Sequence, residues 1–233
     1  MSDLKNIVIF GSGGWAREVL GIVEMINRQS ATWNILGLLD DDPKQHGSVI
    51  AGQTVLGGSD WLYEHPGINL VIGIGSSITR KQIAERLMVQ FDIVFPIIIH
   101  PLAYVGPRVS LGEGSVLHAY SVATVDLQMG RHNLLNVGAM VSHGNRIADY
   151  VSIHPHCNVS GDVTLCEGVE LGTGTDVIQG ANIGSYSIVG AGSVVVKPIE
   201  ACCVAVGAPA KPIKRLAPPM FAPAAVPLGS ELS

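Results

Sequence analysis

From Ile99 to Val195 every sixth residue is aliphatic or methionine, without a miss: Ile99, Val105, Leu111, Leu117, Ala123, Met129, Leu135, Val141, Ile147, Ile153, Val159, Leu165, Leu171, Val177, Ile183, Val189 and Val195. With roughly half of average residues apolar, such a run arises by chance about once in 10⁵. A period of six belongs neither to a helix nor to an isolated strand. It is the signature of a parallel β-helix, in which each hexapeptide forms one side of a prism. The residue two before each aliphatic is often small (Ala103, Ser115, Ser121, Ala139, Cys157, Thr175, Ala181, Ser187, Ser193), which suits a side chain turned into a corner. The residue after it is often glycine (Gly106, Gly112, Gly130, Gly172, Gly184, Gly190), which suits the backbone angles of a tight turn.

The bulk composition agrees with a solenoid: 47% of the 233 residues are hydrophobic, only 14% are charged, and 28 are glycine. A net charge of −5 argues against nucleic acid or an anionic membrane surface as partner. Cys157, Cys166, Cys202 and Cys203 form no C-x-x-C pair, and the chain opens without the pattern of a signal peptide. No apolar run approaches the roughly 20 residues of a membrane span. A cytoplasmic protein with reduced thiols is expected.

Residues 1–98 read as a separate domain, 99–216 as the prism, and 217–233, with four Pro and four Ala, as a C-terminal tail. In the first domain, Asn6-Ile-Val-Ile-Phe10 is a short apolar strand, Gly11-Ser-Gly-Gly14 a turn, and 16–27 an amphipathic helix. A second strand at 33–39 ends in Asp40-Asp41-Asp42-Pro43, a third at 70–75 runs into a Gly turn, a helix covers about 79–90, and 91–99 supplies a strand feeding the prism. Alternating strand and helix implies a small parallel sheet of Rossmann-like type, whose ligands sit at the carboxyl ends of the strands. Three loops fall there: 11–15, 40–42 and 75–77.

Gly11, Gly13 and Gly14 can cradle a phosphate on a helix N-terminus, although the spacing GxGGxxxE is not the full dinucleotide fingerprint. A tight strand-to-helix turn is the plainer reading of these glycines. Asp40 and Asp41 can accept hydrogen bonds from a ribose or a base, or simply form a solvated turn before Pro43. Three such loops at one sheet edge favour a nucleotide-bearing ligand. With under 100 residues and no second mononucleotide half, a nucleotide-sugar fits better than NAD.

Positions 18 apart stack in such a prism, about one strand spacing of ~4.8 Å from each other. His100, His118, Asn136 and His154 form one such ladder. Stacked imidazoles suggest a metal, but the Asn interruption and the corner placement fit a structural polar ladder better. His143 stands apart, at the end of the coil Asn136-Val-Gly-Ala-Met-Val141 and before Gly144-Asn145-Arg146-Ile147-Ala148-Asp149. With Phe10-Gly-Ser-Gly-Gly14, Gly190-Ala-Gly-Ser193 and Gly207-Ala-Pro-Ala-Lys211, this coil resembles the left-handed β-helix, hexapeptide-repeat sugar acetyltransferases of the PglD/NeuD type. The resemblance spans residues 5–215. It alone licenses a left-handed prism, an exception to the right-handed crossover rule.

The resemblance implies an acetyl-CoA-dependent N-acetyltransferase acting on a nucleotide-linked amino-sugar, with no metal. His143 matches the general base that takes the proton from the acceptor amine. Gly13, Gly14, Trp15, Asp40, Asp41 and Gly75 match positions that hold the nucleotide end of the acceptor. Ser152, Gly161, Thr173 and Ala191 match positions facing acetyl-CoA. A homotrimer with sites between subunits is also implied.

Two departures stand out. The acid that follows the family's catalytic His is Gly144 here, and the Asp residues one coil away on either side, Asp126 and Asp162, are the candidates to replace it. At Ser152 relatives often carry a His against the thioester, and His154 or His156 are the nearby substitutes. No Cys or Ser flanks His143 in a nucleophile motif, so direct transfer is expected rather than an acetyl-enzyme. The competing readings are O-acetylation of sialic acid or a related sugar, a zinc-dependent γ-carbonic-anhydrase-like hydratase, and a non-catalytic assembly prism.

Overall fold

A computed structural model describes residues 4–219. The stretch 217–219 carries no regular structure, and the rest of the expected tail lies outside the described residues.

The chain begins with β1 (Lys5–Phe10), helix α1 (Gly14–Gln29), β2 (Trp33–Leu39), β3 (Val49–Ile50), β4 (Gln53–Gly57), β5 (Ile68–Ile72), helix α2 (Ser77–Gln90) and β6 (Ile93–Val94). Their sheet runs in the order β3-β4-β2-β1-β5-β6, parallel throughout except for the β3–β4 hairpin. The central β1 reads as an unbroken apolar run because both its faces are covered: Ile7, Val8, Ile9 and Phe10 are all buried. The sequence reading missed the β3–β4 hairpin, whose short strands alternate too weakly to stand out. It also merged two strands at 91–99: Ile93–Val94 pairs with β5, whereas Ile98–Ile99 belongs to the prism, with Pro96 between them.

From Ile98 to Val195 two- and three-residue strands alternate with corners of three or four residues and stack into three parallel sheets. The first face carries Ile98–Ile99, Val116–Leu117, Leu134–Leu135, Ser152–Ile153, Glu170–Leu171 and Ile188–Val189. The second runs from Tyr104–Val105 to Val194–Val195, and the third from Val109–Leu111 to Asn182–Ile183. Each strand pairs with the residues 18 positions away, so the six-residue register becomes three inward ladders, and all its members lie in or against one core. The small residues two before each aliphatic turn inward as expected: Ser115, Ser121, Ala139, Cys157, Thr175, Ser187 and Ser193 are fully buried.

The glycines after each aliphatic have a different cause from the one expected. None of Gly106, Gly112, Gly130, Gly172, Gly184 and Gly190 has a positive φ. They are small because the next coil passes close by: a Cβ at Gly106 would lie 1.6 Å from the Thr124 carbonyl oxygen, and one at Gly112 2.4 Å from Gly130 backbone. The left-handed corner position is two residues further on and also recurs every six residues, from Arg108 (φ 57°) to Gly192 (φ 66°). Asp126, Gly144 and Asp162 all occupy it.

Helix α1 is buried on two sides. Its apolar stripe, Ala16, Val19, Leu20 and Val23, shares one cluster with sheet residues Ile7 and Ile9 and with the outward-facing Ile98, Val116 and Leu134 of the first prism face. Further along that face the outward ladder becomes polar, Ser152 then Glu170, and there it meets α2. Ser77 at the start of α2 donates both its N–H and its hydroxyl to Glu170 Oε1 (2.7 and 2.8 Å). No helix among the described residues is long and apolar enough to cross a membrane.

Candidate active site

The three expected loops do gather at the carboxyl edge of the sheet, tied by Gly11 N–H to Leu39 O (2.6 Å) and Gly73 N–H to Phe10 O (2.7 Å). Gly13 caps α1 without a side-chain bond, and Gly13 and Gly14 are exposed, so the first backbone N–H groups of the helix stay open to an anion. Asp40 accepts from the Ser12 hydroxyl and from Asp42 N–H. Asp41 accepts from Ser59 N–H (2.8 Å) and pairs with Arg86. Partial burial raises the Asp41 carboxyl, but these two partners outweigh it and hold the group below the usual carboxylate range. Gly75 faces the prism, its carbonyl accepting from Arg80 (2.8 Å) and from the Ser152 hydroxyl (3.1 Å).

His143 sits at the corner between the second and third faces, with Gly161 one coil away; a Cβ at Gly161 would lie 2.3 Å from His143 Cε1, so only glycine lets the ring lie there. Asp162 Oδ1 is 4.0 Å from His143 Nδ1, and both side chains are more than half exposed (55% and 57%). Asp126, on the other side, forms a two-point ion pair with Arg108, which holds its carboxyl below the usual range. The structure therefore brings His143, Asp126, Gly161 and Asp162 together and leaves Asp162 the less committed acid, its Oδ2 accepting, among the described residues, only from the Gln179 amide (3.3 Å). Beside this corner the third face holds a groove of about 500 Å³ lined by Gln128, Arg146, Thr164 and Cys166.

Thr173 and Ala191 are exposed but lie on a different corner, between the first and second faces. Ser152 corrects the expectation of a coenzyme contact: it has no exposed surface and is locked between Arg80 Nη2 (2.9 Å) and Gly75 O. Its strand faces α2, which seals it away from any ligand on the prism surface. The His100, His118, Asn136 ladder is a set of corner caps, each side chain accepting a nearby backbone N–H, from Leu102, Ala119 and Val137 respectively. Among the described residues no cluster of three or more His, Cys, Asp or Glu is arranged to hold a metal ion.

Arg80 is a structural centre that the sequence reading missed. It is 2% exposed, and its guanidinium donates to the carbonyls of His132, Ile74, Gly75 and Tyr150 at 2.8 to 3.0 Å. Desolvation lowers it to about 10, opposed by Glu170, so it stays charged at neutral pH. The available signal was the poor amphipathicity of α2, which places Arg80 and Lys81 on its buried side.

Residues 6–87 match the family of the PglD N-terminal domain. GDP-perosamine N-acetyltransferase from Escherichia coli O157:H7 is 27% identical over 180 residues, 74% of this chain and 77% of that protein. The crystal structure of a mutant perosamine N-acetyltransferase from Caulobacter crescentus, in complex with CoA and GDP-perosamine, is 30% identical with a TM-score of 0.82, covering 91% of this chain and 98% of that one. The chain belongs to the PglD/NeuD-type family of sugar acetyltransferases. The acetyltransferase domain of PglB from Neisseria gonorrhoeae, in complex with acetyl coenzyme A, also superposes at a TM-score of 0.82 (27% identity, 91% of this chain and 100% of that one). As a member of this family the chain is an acetyltransferase, and its prism is a left-handed parallel β-helix behind an α/β domain.

Proposed function

We propose that this PglD/NeuD-type chain transfers the acetyl group of acetyl-CoA directly to the amine of a nucleotide-linked amino-sugar. The observation that carries the reading is the union in one chain of an anion-ready glycine loop with an exposed prism histidine backed by a carboxylate at 4.0 Å. Residues 1–98 hold the acceptor through the 11–15, 40–42 and 75–77 loops, and residues 99–216 carry the transfer site. His143 removes the amine proton as the nitrogen attacks the thioester carbon. The C–N bond forms, the C–S bond breaks, and the departing thiolate takes the proton from the His143 imidazolium and leaves as the thiol. General bases of this kind contribute about 10²–10⁴-fold. Asp162 orients His143 and balances its charge, in place of an acid at position 144. A backbone N–H of the prism stabilises the developing oxyanion.

Gly161 lies at the His143 corner, whereas Thr173 and Ala191 lie on another edge. The two edges can face one acetyl-CoA together when they come from neighbouring copies, and their separation on two corners supports a homotrimer with sites between subunits. Thr173 and Ala191 are both exposed, which suits contact with a pantetheine arm. Acetyl-CoA and nucleotide-sugars meet in the cytoplasm, where this reading puts the protein. The test is thiol release from acetyl-CoA with a panel of nucleotide-linked amino-sugars and sialic acid, for wild type and His143→Ala. Turnover with an amino-sugar that the variant loses is expected. Turnover only with hydroxyl acceptors would replace N- by O-acetylation.

A further inference from the structure

Where α1 meets the prism, three polar groups converge without a hydrogen-bonding partner among the described residues. The indole N–H of Trp15 is buried and unbonded. His118 accepts the Ala119 N–H on Nδ1 (2.6 Å), so in its neutral form the ring proton sits on Nε2. That Nε2 faces Glu18 Oε2 at 3.8 Å, too far for a direct hydrogen bond. Glu18 is half exposed (49%), so the gap between the two is open to an incoming group, while His118 is largely covered at 17%. The Trp15 and His118 rings lie 6.2 Å apart. Burial raises Glu18 and lowers His118, the latter with help from the stacked His100, as befits groups partly stripped of water. Buried polar groups in native proteins are nearly always satisfied, so the unbonded Trp15 indole N–H, on a ring beside His118, together with a His118 Nε2 and a half-exposed Glu18 carboxylate that do not reach each other, points to a ligand.

The position of the gap names the ligand's part. Glu18 is one turn along α1 from Gly14, at the end of the helix that would bind phosphate, and His118 belongs to the prism that performs the transfer. A molecule anchored by its phosphates at Gly13 and Gly14 enters this gap with whatever lies on the prism side of those phosphates. We propose that Trp15, Glu18 and His118 form the subsite that reads the hexose ring of a nucleotide-linked sugar. Glu18 accepts from a ring hydroxyl, and His118 Nε2 and the Trp15 indole donate to sugar oxygens. The subsite rests on the nucleotide-sugar reading above and deepens it by naming the residues that tell one sugar from another. They act on binding of the acceptor, not on the acetyl donor.

The test is calorimetric titration of the full chain with UDP- and GDP-linked amino-hexoses and, separately, with free UDP and GDP. It compares wild type with Glu18→Gln, His118→Gln and Trp15→Phe, the last keeping an aromatic ring while removing the N–H. Loss of one such bond is expected to weaken sugar-nucleotide binding by about tenfold, or about 1.4 kcal/mol. Free nucleoside diphosphate should bind Glu18→Gln and His118→Gln as it binds wild type, and acetyl-CoA should bind all three variants so. Unchanged sugar-nucleotide affinity in all three variants would overturn the subsite while leaving the nucleotide-sugar reading intact. Equal weakening for free nucleotide and sugar-nucleotide would overturn it too, by showing a general disturbance of the loop. A wild type that binds no nucleotide in either form would overturn the nucleotide-sugar reading, and the subsite with it.

Discussion

Asp162 occupies the space that a side chain at Gly144 would need. A Cβ built at Gly144 falls 2.1 Å from Asp162 Oδ1, the same oxygen that lies 4.0 Å from His143 Nδ1. A side chain at position 144 and the Asp162 carboxylate in its present place therefore compete for one space, and one of them must shift. Two unit charges 4 Å apart in a water-like medium gain about 1 kcal/mol, and both side chains here are well exposed. Asp162→Asn is expected to lower kcat about fivefold with the acetyl-CoA KM little changed. Gly144→Glu alone should lower it further by displacing Asp162, while Gly144→Glu combined with Asp162→Gly should recover activity. Failure of the double variant to exceed the Gly144→Glu single in steady-state assays would sink the replacement.

The two glycine ladders give opposite expectations for one substitution. At Gly106 an added methyl meets the Thr124 carbonyl at 1.6 Å, and neither backbone can give way without opening the coil-to-coil ladder. At Gly174 nothing lies within 4 Å, and the only obstacle is the left-handed backbone, φ +68°. Gly174→Ala should cost about 1–2 kcal/mol in urea denaturation. Gly106→Ala should fail to yield folded protein or should lose several times that amount. Similar losses for both would mean that the close coil approach is relieved by backbone movement.

This contrast also shows how far the sequence could be read. The register of aliphatics is legible because each member faces one continuous core, and no neighbouring element alters that demand. The hexapeptide glycines were legible as a pattern but not as a cause, since φ and coil spacing are properties of the stacked prism. Ser152 was misjudged for a similar reason. A serine on a strand gives no sign of which outer face α2 will cover, and only the folded chain sets it between Arg80 and Gly75. His143 and the two Asp residues were accessible because 18-residue stacking brings them together by arithmetic. Arg80 and Glu18 become visible only when the two domains meet, and His118, legible as a ladder member, gains its facing carboxylate only there.

Arg80 carries the domain junction. Replacing it with Met leaves the carbonyls of Ile74, Gly75, His132 and Tyr150 without the donor they now share. Each orphaned buried acceptor costs about 1–3 kcal/mol, so a loss of about 3 kcal/mol or more is expected in chemical denaturation. Arg80→Lys, a point charge without the planar fork, should recover only part of it. Arg86→Met, which breaks an exposed pair with Asp41, should stay within about 1 kcal/mol of wild type. Equal effects at positions 80 and 86 would contradict the role of the buried guanidinium.

His132 makes the fold acid-sensitive. Its ring is fully buried, stacked on Tyr150 (5.3 Å, 1°) and edge-on to Phe95, with neither nitrogen bonded among the described residues. Desolvation, then Arg80 and Arg131, press it from 6.5 down to about 3, against a smaller opposing pull from Asp149. Below about pH 6.5 the unfolded chain therefore takes up a proton that the folded chain refuses until about pH 3. In that window the unfolded state holds more protons, so stability rises with pH. The contribution is complete above pH 6.5 and is lost as the pH falls towards 3. His132→Phe keeps the stack and removes the titration. In scanning calorimetry the Tm of wild type should fall more steeply than that of the variant between pH 7 and pH 4. The remaining fall in the variant comes from the other partly buried histidines, His100, His118 and His154, whose pKa values are also lowered by burial. Parallel curves for the two proteins would mean that His132 gains a proton, or a partner, in the acid native state.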